Sequence, residues 1–340
     1  MVCSFNVKWY YYCTGNKNKH EAAQLVKMLV KITEKEKRKK MKLGVVGLGS
    51  IAQKAYLPVM MAMSEEVEWH FYTRDQEKLA KIGKQYRVTH LHPTVESMIE
   101  SGVKGVFIHT ATHTHAALIQ QFLENGIHVY VDKPISENLE EVEALMALAE
   151  EKELLLVTGF NRRFAPMIQE LKKVSNKNMI FVQKNKPNGS GTVQFGIFDM
   201  FIHVVDTAVY LLDEEILEMS HTVTETDGQL ENCVVQLETE NTICIATMNY
   251  KAGANLEVAE VQSPEGTYKV TNLTDYASDS YGEQETRIFG DWDHTLEKRG
   301  FAPLIRQYIE AIKTGGKNPV SLESSFLSHQ ICEEIVAENE

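Results

Sequence analysis

KLGVVGLGSIAQKAYLPVM, residues 42–60, decides the fold of this chain. A short β-branched strand runs into Gly47-x-Gly49-x-x-Ala52 and then into a helical stretch, which is the context that gives a glycine fingerprint its meaning. Gly47 allows a tight turn, Gly49 lets the backbone approach a pyrophosphate, and Ala52 permits close packing of helix on strand. The helix N-terminus offers free N–H groups to phosphates. The residues predicted to bind a dinucleotide here are Gly47, Gly49, Ser50, Ile51 and Ala52.

The next predicted strand, VEWHFYTRD at residues 67–75, bears on the choice of cofactor. An NAD-binding protein usually ends this strand with an acid that hydrogen-bonds the ribose 2′-hydroxyl. Here Thr73 occupies that place and Arg74 follows it, and a hydroxyl with a guanidinium suits a 2′-phosphate better than a diol. Asp75 comes too late unless the register slips, and Arg74 could instead stack on the adenine. We therefore expect NADP, with NAD as the alternative.

Strands and helices continue to alternate as far as residue 163, which predicts a doubly wound parallel sheet. In such sheets ligands lie at the carboxyl ends of the strands. Five strand ends carry glycine, polar or basic residues and are expected to line one crevice: residues 47–50, 73–74, 110–115, 132–134 and 161–163. Further along, period-two alternation with turns at 238–241 and 263–266 predicts antiparallel strands, and residues 301–316 form an amphipathic helix.

GIFDMFIHVVDTAVYLL, residues 196–212, is an apolar run that carries Asp199, His203 and Asp206. At helical spacing these side chains and Tyr210 form one narrow polar stripe. Each titratable group buried there costs free energy unless it has a partner. Two interpretations stay open: the helix lines a cleft and the stripe does chemistry, or the stripe is a carboxylate–histidine–carboxylate network that holds the fold together.

Composition excludes several classes of function. The chain has 340 residues, enough for two domains, and its formal net charge of −12 argues against nucleic acid or a membrane surface as the main partner. Five scattered cysteines without a CxxC pair fit a reducing cytoplasm and indicate no metal site. We expect no membrane helix, because no apolar run reaches the roughly 18 residues that one needs.

The first forty residues differ from the rest, with ten Lys and Arg against three acidic residues. The order of their basic and apolar segments is wrong for a secretory signal. We expect an appendage, or upstream sequence read through before a start at Met41, with a nucleic-acid-binding tail as the alternative. The predicted organisation is an extension at 1–40, a Rossmann domain at 41–163, and a second domain at 164–340, to which the family resemblance described next assigns the substrate and the contacts between subunits.

Five motifs together resemble the glucose–fructose oxidoreductase/inositol dehydrogenase/MocA family of nicotinamide-dependent oxidoreductases, and most of all its MviM-type branch. They lie at residues 44–60, 131–141, 159–166, 198–211 and 295–312. The resemblance implies an α/β fold, in which a Rossmann domain precedes an α+β domain built on an open, mostly antiparallel sheet. The exposed face of that sheet often pairs subunits in the family, so we expect a homodimer or homotetramer.

The resemblance also assigns roles. The family's E-K-P motif matches Asp132-Lys133-Pro134 and places Lys133 between nicotinamide and substrate. Its D-x-x-x-H pair matches Asp199 and His203, where the histidine exchanges a proton with the substrate hydroxyl and the aspartate orients it. Its T-P-x-x-x-H turn matches residues 110–115 with alanine in place of proline, so a looser turn is expected. The implied cofactor contacts are Thr110, Thr112, His115, Asp132 and Lys133.

These matches predict hydride transfer between NADP and a sugar, cyclitol or related polyol or carbonyl substrate. His203 would take the hydroxyl proton, since an unperturbed histidine pKa of about 6.5 lies near working pH. Asp199 would stabilise the imidazolium, and Lys133 would donate a hydrogen bond to the developing alkoxide. One alternative reaction is the reduction of a carbonyl or imine by the same residues. An alternative to an enzyme is a non-catalytic dinucleotide-binding regulator on the same fold. Lys133 could also merely pair with a nearby acid.

Further side chains are candidate substrate contacts: Asn161, Arg162, Arg163, Lys184 and Asp206. The two arginines could bind an acidic group on the substrate, or one of them could hold the hinge between the domains. Lys184 and Asn185 are expected on a loop that could cap the substrate.

Overall fold

The computed structural model describes residues 40–339, and the predicted extension at 1–40 lies, apart from Lys40, outside them. The first sheet has six parallel strands in the order β3-β2-β1-β4-β5-β6. They are β1 (Met41–Val46), β2 (Val67–Tyr72), β3 (His90–His92), β4 (Gly105–Ile108), β5 (His128–Val131) and β6 (Leu156–Thr158). Val46 lies opposite both Tyr72 and Ile108, so the strand ends are level at one edge. The predicted doubly wound sheet is confirmed, with its order reversing between β1 and β4.

Three helices of this half begin at a side-chain cap. Asp75, Thr94 and Asn138 each accept a hydrogen bond from the backbone N–H three residues later. The helices are α1 (Leu57–Ala62), α2 (Gln76–Tyr86), α3 (Val95–Glu100), α4 (His115–Glu124) and α5 (Leu139–Glu151). A π-helical turn, Ala52–Tyr56, precedes α1, and a 3₁₀ turn, Thr112–Thr114, precedes α4. The turn before α4 therefore closes without the family's proline.

The second sheet has eight strands in the order β14-β13-β12-β11-β7-β10-β9-β8. They are β7 (Met179–Asn185), β8 (Glu218–Thr226), β9 (Gln229–Glu238), β10 (Ile243–Asn249), β11 (Leu256–Ser263), β12 (Gly266–Thr271), β13 (Asp275–Ser280) and β14 (Glu283–Arg287). Only β7 and β10 run parallel, which confirms the mostly antiparallel sheet. Lys184 and Asn185 end β7 rather than lying on the predicted loop, because the alternating burial of β7 extends through Lys184.

One helical run packs against β7 and β10. It comprises α7 (Val193–Gly196), a π-helical turn (Ile197–Phe201) and α8 (Ile202–Leu211). In the π turn the Ile202 N–H donates to the Ile197 carbonyl, five residues back. By length and composition the run could cross a membrane, and 61% of its most apolar window is buried within the protein. The expectation that no apolar run is this long is therefore wrong, and the burial is that of a core helix.

The chain passes between the two halves at a 3₁₀ turn, Asn161–Phe164, close to the predicted boundary. Two short helices follow in the second half, α6 (Pro166–Lys172) and α9 (Thr295–Lys298), and two long ones close the chain, α10 (Phe301–Thr314) and α11 (Leu322–Ala337).

These last two helices, predicted to lie in the second domain, contact the first sheet. The Tyr308 hydroxyl on α10 donates to the Val106 carbonyl of β4 at 3.2 Å. On α11, His329 Nε2 accepts from the Ile135 N–H at 3.0 Å. Residues from two helices late in the sequence therefore pack against the first half of the molecule.

Candidate active site

The carboxyl ends of β1, β4, β5 and β6 and the helical run of the second half line a cavity of about 570 Å³. The predicted residues brought to it are Ile51, Thr110, Thr112, His115, Asp132, Lys133, Asn161, Arg162, Asp199 and His203. A wider cavity of about 870 Å³ is lined by several glutamates of α5 and α11 and by none of the predicted proton-transfer groups. Its acidic wall is unsuited to the phosphates of a dinucleotide, so the smaller cavity is the candidate site.

The glycine fingerprint forms the turn between β1 and the following helix. Gly47 has a φ of +90°, and a Cβ there would lie 2.9 Å from the carbonyl carbon and oxygen of His109. Only glycine fits this position. A Cβ on Gly49 would meet nothing within 4 Å, so open space lies before its backbone. The residues present therefore fit a dinucleotide whose pyrophosphate approaches the chain at Gly49.

The end of β2 carries an exposed guanidinium. Arg74 is exposed, and among residues 40–339 it forms no ion pair. Asp75 is already engaged, because its carboxylate caps α2 by accepting from the Lys78 N–H at 2.9 Å. The cap uses one oxygen of the Asp75 carboxylate, and Arg74 stands beside it as the exposed basic group at the end of β2.

Asp132 lies in a buried polar network. One carboxylate oxygen accepts from the Tyr56 hydroxyl and the other lies 2.9 Å from His109 Nδ1. Burial alone would raise the pKa of Asp132, but the His109 imidazole and the hydrogen bonds from His109 and Tyr56 lower it. Both oxygens are thus taken by the protein, and this carboxylate orients its loop. Tyr56 and His109 are not among the residues predicted from the sequence: Tyr56 lies within the fingerprint segment but outside its glycine pattern, and His109 belongs to no motif.

His115 links two of the strand-end loops. Its Nδ1 lies 2.8 Å from the Pro134 carbonyl and its Nε2 lies 3.2 Å from the Thr110 carbonyl. Burial lowers its pKa, so the ring is neutral and donates to one of these carbonyls. Both nitrogens face the backbone, which makes His115 a positioning residue for the loops that carry Thr110 and Lys133.

The proton-transfer set meets across the two halves of the molecule. Lys133 Nζ donates to the Asp199 carboxylate at 3.1 Å and also to its backbone carbonyl. No hydrogen bond joins Asp199 to His203 in the described part of the chain, so the carboxylate holds the lysine rather than the imidazole. His203 Nδ1 is buried without a hydrogen-bond partner. Burial, followed by Arg162 and Lys133, lowers the pKa of His203 well below its usual range and keeps the ring neutral.

Of the candidate substrate contacts, Arg163 and Asp206 lie away from the cavity. They are 5% and 1% exposed and form a bidentate pair, with Arg163 Nη2 2.6 Å from Asp206 Oδ1. Arg163 also donates to Ser324 Oγ on α11 at 2.7 Å. The geometry favours the alternative in which one arginine holds the two halves together.

Arg162 and Lys184 share another buried carboxylate. Arg162 donates to Glu257 Oε1 at 2.5 Å and Lys184 donates to Oε2 at 3.1 Å. Burial opposes ionisation of Glu257, but the two cations lower its pKa to about 2. Arg162 reaches the cavity wall, whereas Lys184 stays behind it. Glu257 and Arg299 are not among the site residues predicted from the sequence: Glu257 lies on a strand without a motif, and Arg299 lies in the motif at residues 295–312, whose pattern indicates no role for it.

Comparison with known proteins adds to this geometry. Residues 41–160 match the Gfo/Idh/MocA family described as an oxidoreductase family with an NAD-binding Rossmann fold, and residues 166–281 match the YceM-like C-terminal domain. YceM of Salmonella typhimurium, named as an oxidoreductase, is 31% identical over 86% of this chain and 96% of its own. The MviM dehydrogenase of Clostridium difficile aligns with a TM-score of 0.84 and 32% identity over 88% of this chain and 100% of its own.

A more distant relative carries a named substrate. Myo-inositol 2-dehydrogenase of Thermotoga maritima is 26% identical over 53% of this chain and 57% of its own.

Proposed function

Because the chain belongs to the Gfo/Idh/MocA family of NAD-binding oxidoreductases, we propose that it transfers hydride between NADP and a CH–OH carbon of a sugar, cyclitol or related polyol, or the matching carbonyl compound. The observation that carries this proposal is the meeting of Lys133, Asp199 and His203 at the cavity lined by the strand ends. The relative that acts on myo-inositol supports a polyol as the substrate class.

The chain's own residues account for cofactor binding. The turn at Gly47 and Gly49 and the helix that follows would hold the pyrophosphate. Arg74, free of carboxylates in the described residues, would pair with a 2′-phosphate by charge-assisted hydrogen bonds. When bound, the nicotinamide would supply the carbon that accepts or gives hydride.

Proton transfer falls to His203. Its imidazole is neutral and lines the cavity, so it can take a proton from a substrate hydroxyl. The Lys133 ammonium would donate a hydrogen bond to the oxygen on which negative charge develops. Asp199 acts through Lys133 by fixing the direction of that ammonium, which makes it a positioning residue.

Cofactor choice is tested by fluorescence titration of the purified protein with NADPH and, separately, NADH. We expect tighter binding of NADPH, and Arg74→Ala should weaken it by about tenfold or more while NADH binding changes little. Equal weakening of both nucleotides would contradict the role of Arg74 at a 2′-phosphate. Absence of binding of either nucleotide would contradict the whole proposal.

Turnover is tested with inositols, sugars and their keto forms, followed through NADPH absorbance. His203→Asn should lower kcat by roughly 10²–10⁴-fold while the Kd for NADPH stays the same. The matched control is His90→Asn, because His90 lies on β3 at the far edge of the first sheet. An unchanged kcat in His203→Asn would reject the base assignment. Tight NADPH binding without turnover of any compound would favour a regulator.

A further inference from the structure

The cavity carries more positive than negative charge around His203. Four cations act on this imidazole: Arg162, Lys133, Arg299 and Lys184. Two carboxylates form ion pairs with these cations: Asp199 pairs with Lys133, and Glu257 pairs with both Arg162 and Lys184. The protein therefore leaves an excess of positive charge beside the residue proposed to take the proton.

Among these four, Arg299 is the cation without a close partner. Its Nη2 lies 4.0 Å from Glu257 Oε2, at the limit of an ion pair, and its side chain is 36% exposed. Within residues 40–339 its guanidinium makes no hydrogen bond, whereas both oxygens of Glu257 already accept from Arg162 and Lys184. Partial burial and the neighbouring Arg162 guanidinium lower the pKa of Arg299. A guanidinium beside another cation and without its own carboxylate is an open site for an anion.

The backbone holds Arg299 firmly at this place. Asn161 Nδ2 donates to the Arg299 carbonyl at 2.7 Å, which ties the residue to the end of β6. The next residue, Gly300, has a φ of +80°, and a Cβ there would lie 2.0 Å from the Asn161 carbonyl oxygen. This close approach fixes the point from which the Arg299 side chain enters the cavity, alongside Lys133 and His203.

We propose that Arg299, supported by Arg162, binds an anionic group of the substrate, so that the preferred substrate is a sugar or polyol bearing a carboxylate or a phosphate. The inference rests on the proposed function and narrows its substrate class. Arginine suits the task because its planar fork matches both oxyanions and keeps its charge. The anion would pair with the cation that the protein leaves unpaired.

The test compares substrates that share one carbon skeleton. Sorbitol, D-gluconate and sorbitol 6-phosphate are assayed with NADP⁺, and glucose, glucuronate and glucose 6-phosphate form a second set. We expect kcat/KM to be about tenfold to a hundredfold higher for one of the anionic members than for the neutral one, and the two anionic arms separate carboxylate from phosphate recognition. Arg299→Gln should bring this ratio close to one, mainly through KM. Arg306→Gln is the matched control, because Arg306 pairs with Glu297 in an exposed ion pair.

Each outcome bears on a different statement. Equal kcat/KM for neutral and anionic members, or a loss in Arg299→Gln that is the same for both, would overturn the anion site and leave the oxidoreductase intact. If no compound is turned over, binding of gluconate and sorbitol 6-phosphate to the NADPH complex is measured against sorbitol by calorimetry. Tighter binding of an anion that depends on Arg299 supports the inference, and equal binding overturns it. Failure of NADPH itself to bind contradicts the proposed function.

Discussion

At the level of single residues, the protonation state of His203 depends on the cations around it. Burial acts first and Arg162, Lys133, Arg299 and Lys184 add to it, so the pKa lies well below its ordinary value of 6.5. A histidine that stays neutral near pH 7 can accept a proton from an alcohol. The same cations would stabilise an alkoxide, which favours oxidation of a hydroxyl.

The pH profile of alcohol oxidation tests this account. Protonation of the base abolishes the reaction, so kcat/KM should fall on the acid side along a limb that reports the free enzyme. Because the pKa of His203 is lowered, that limb should lie below pH 6.5. Arg299→Gln removes one cation and should move the limb upward. A wild-type limb above pH 6.5, or no movement in the variant, would contradict this environment.

Residue identities were more predictable than residue partners. The motifs indicated Lys133, Asp199 and His203, and all three line the cavity. Helical spacing also predicted that Asp199 would serve His203, but the π turn at Ile197–Phe201 departs from 3.6 residues per turn and Asp199 pairs with Lys133 instead. Asp206 and Arg163 pair across 43 residues of chain, a contact that no local pattern encodes.

At the level of elements, the turn after β1 contains two glycines with different roles. We expect the fold to require Gly47 and cofactor binding to require Gly49. Gly47→Ala should destabilise the protein by about 1–3 kcal/mol, because a φ of +90° and a Cβ 2.9 Å from the His109 backbone strain the turn. It should also abolish NADPH binding. Gly49→Ala should leave the unfolding free energy nearly unchanged, since its Cβ meets nothing within 4 Å, yet weaken NADPH binding by filling that space.

Urea unfolding and NADPH titration of both variants check this difference. Equal destabilisation by the two substitutions would show that Gly49 is needed for the fold. Undiminished NADPH binding in Gly49→Ala would remove the pyrophosphate from this turn.

Elements were predicted well where a local signal was strong. The fingerprint strand and the turns at 238–241 and 263–266 follow from periodicity and turn residues. The sequence does not indicate β3 as a strand, because three residues are too few to show a period. The loop expected at Lys184 is instead the end of β7, because Lys184 continues the alternation of this strand and its charge pairs with Glu257.

At the level of the whole molecule, the Arg163–Asp206 pair joins the crossing point, α8 and α11. Both groups are buried, so removing one partner leaves an uncompensated charge. Asp206→Asn should lower the free energy of unfolding by about 3–5 kcal/mol. The control Glu297→Gln breaks an exposed pair and should cost about 1 kcal/mol or less.

Chemical denaturation measures both changes, and NADPH titration under native conditions shows whether the site survives. An Asp206→Asn variant of wild-type stability with a raised KM would instead place Asp206 at the substrate. A double variant, Arg163→Met with Asp206→Leu, should recover much of the lost stability because no charge is then stranded.

The overall architecture was predictable from the alternation of elements, but the return of the chain to its first sheet was not. The amphipathic pattern of residues 301–316 indicates that one face is buried, without indicating the surface that buries it. Tyr308 meets Val106 across more than two hundred residues of sequence. Sequence order alone assigns α10 and α11 to the second domain, whereas their hydrogen bonds join both helices to the first half of the molecule.

This return has a consequence for synthesis. The Thr158 hydroxyl on β6 pairs with the Ser325 hydroxyl, and the Leu156 carbonyl accepts from the Asn318 side-chain amide. Both partners are synthesised long after β6. At about 5–20 residues per second, a ribosome needs roughly ten to thirty seconds to proceed from β6 to these partners. The half with the nucleotide fingerprint therefore leaves the ribosome with one flank uncovered, and its final packing comes only after residues 318–325 have been made.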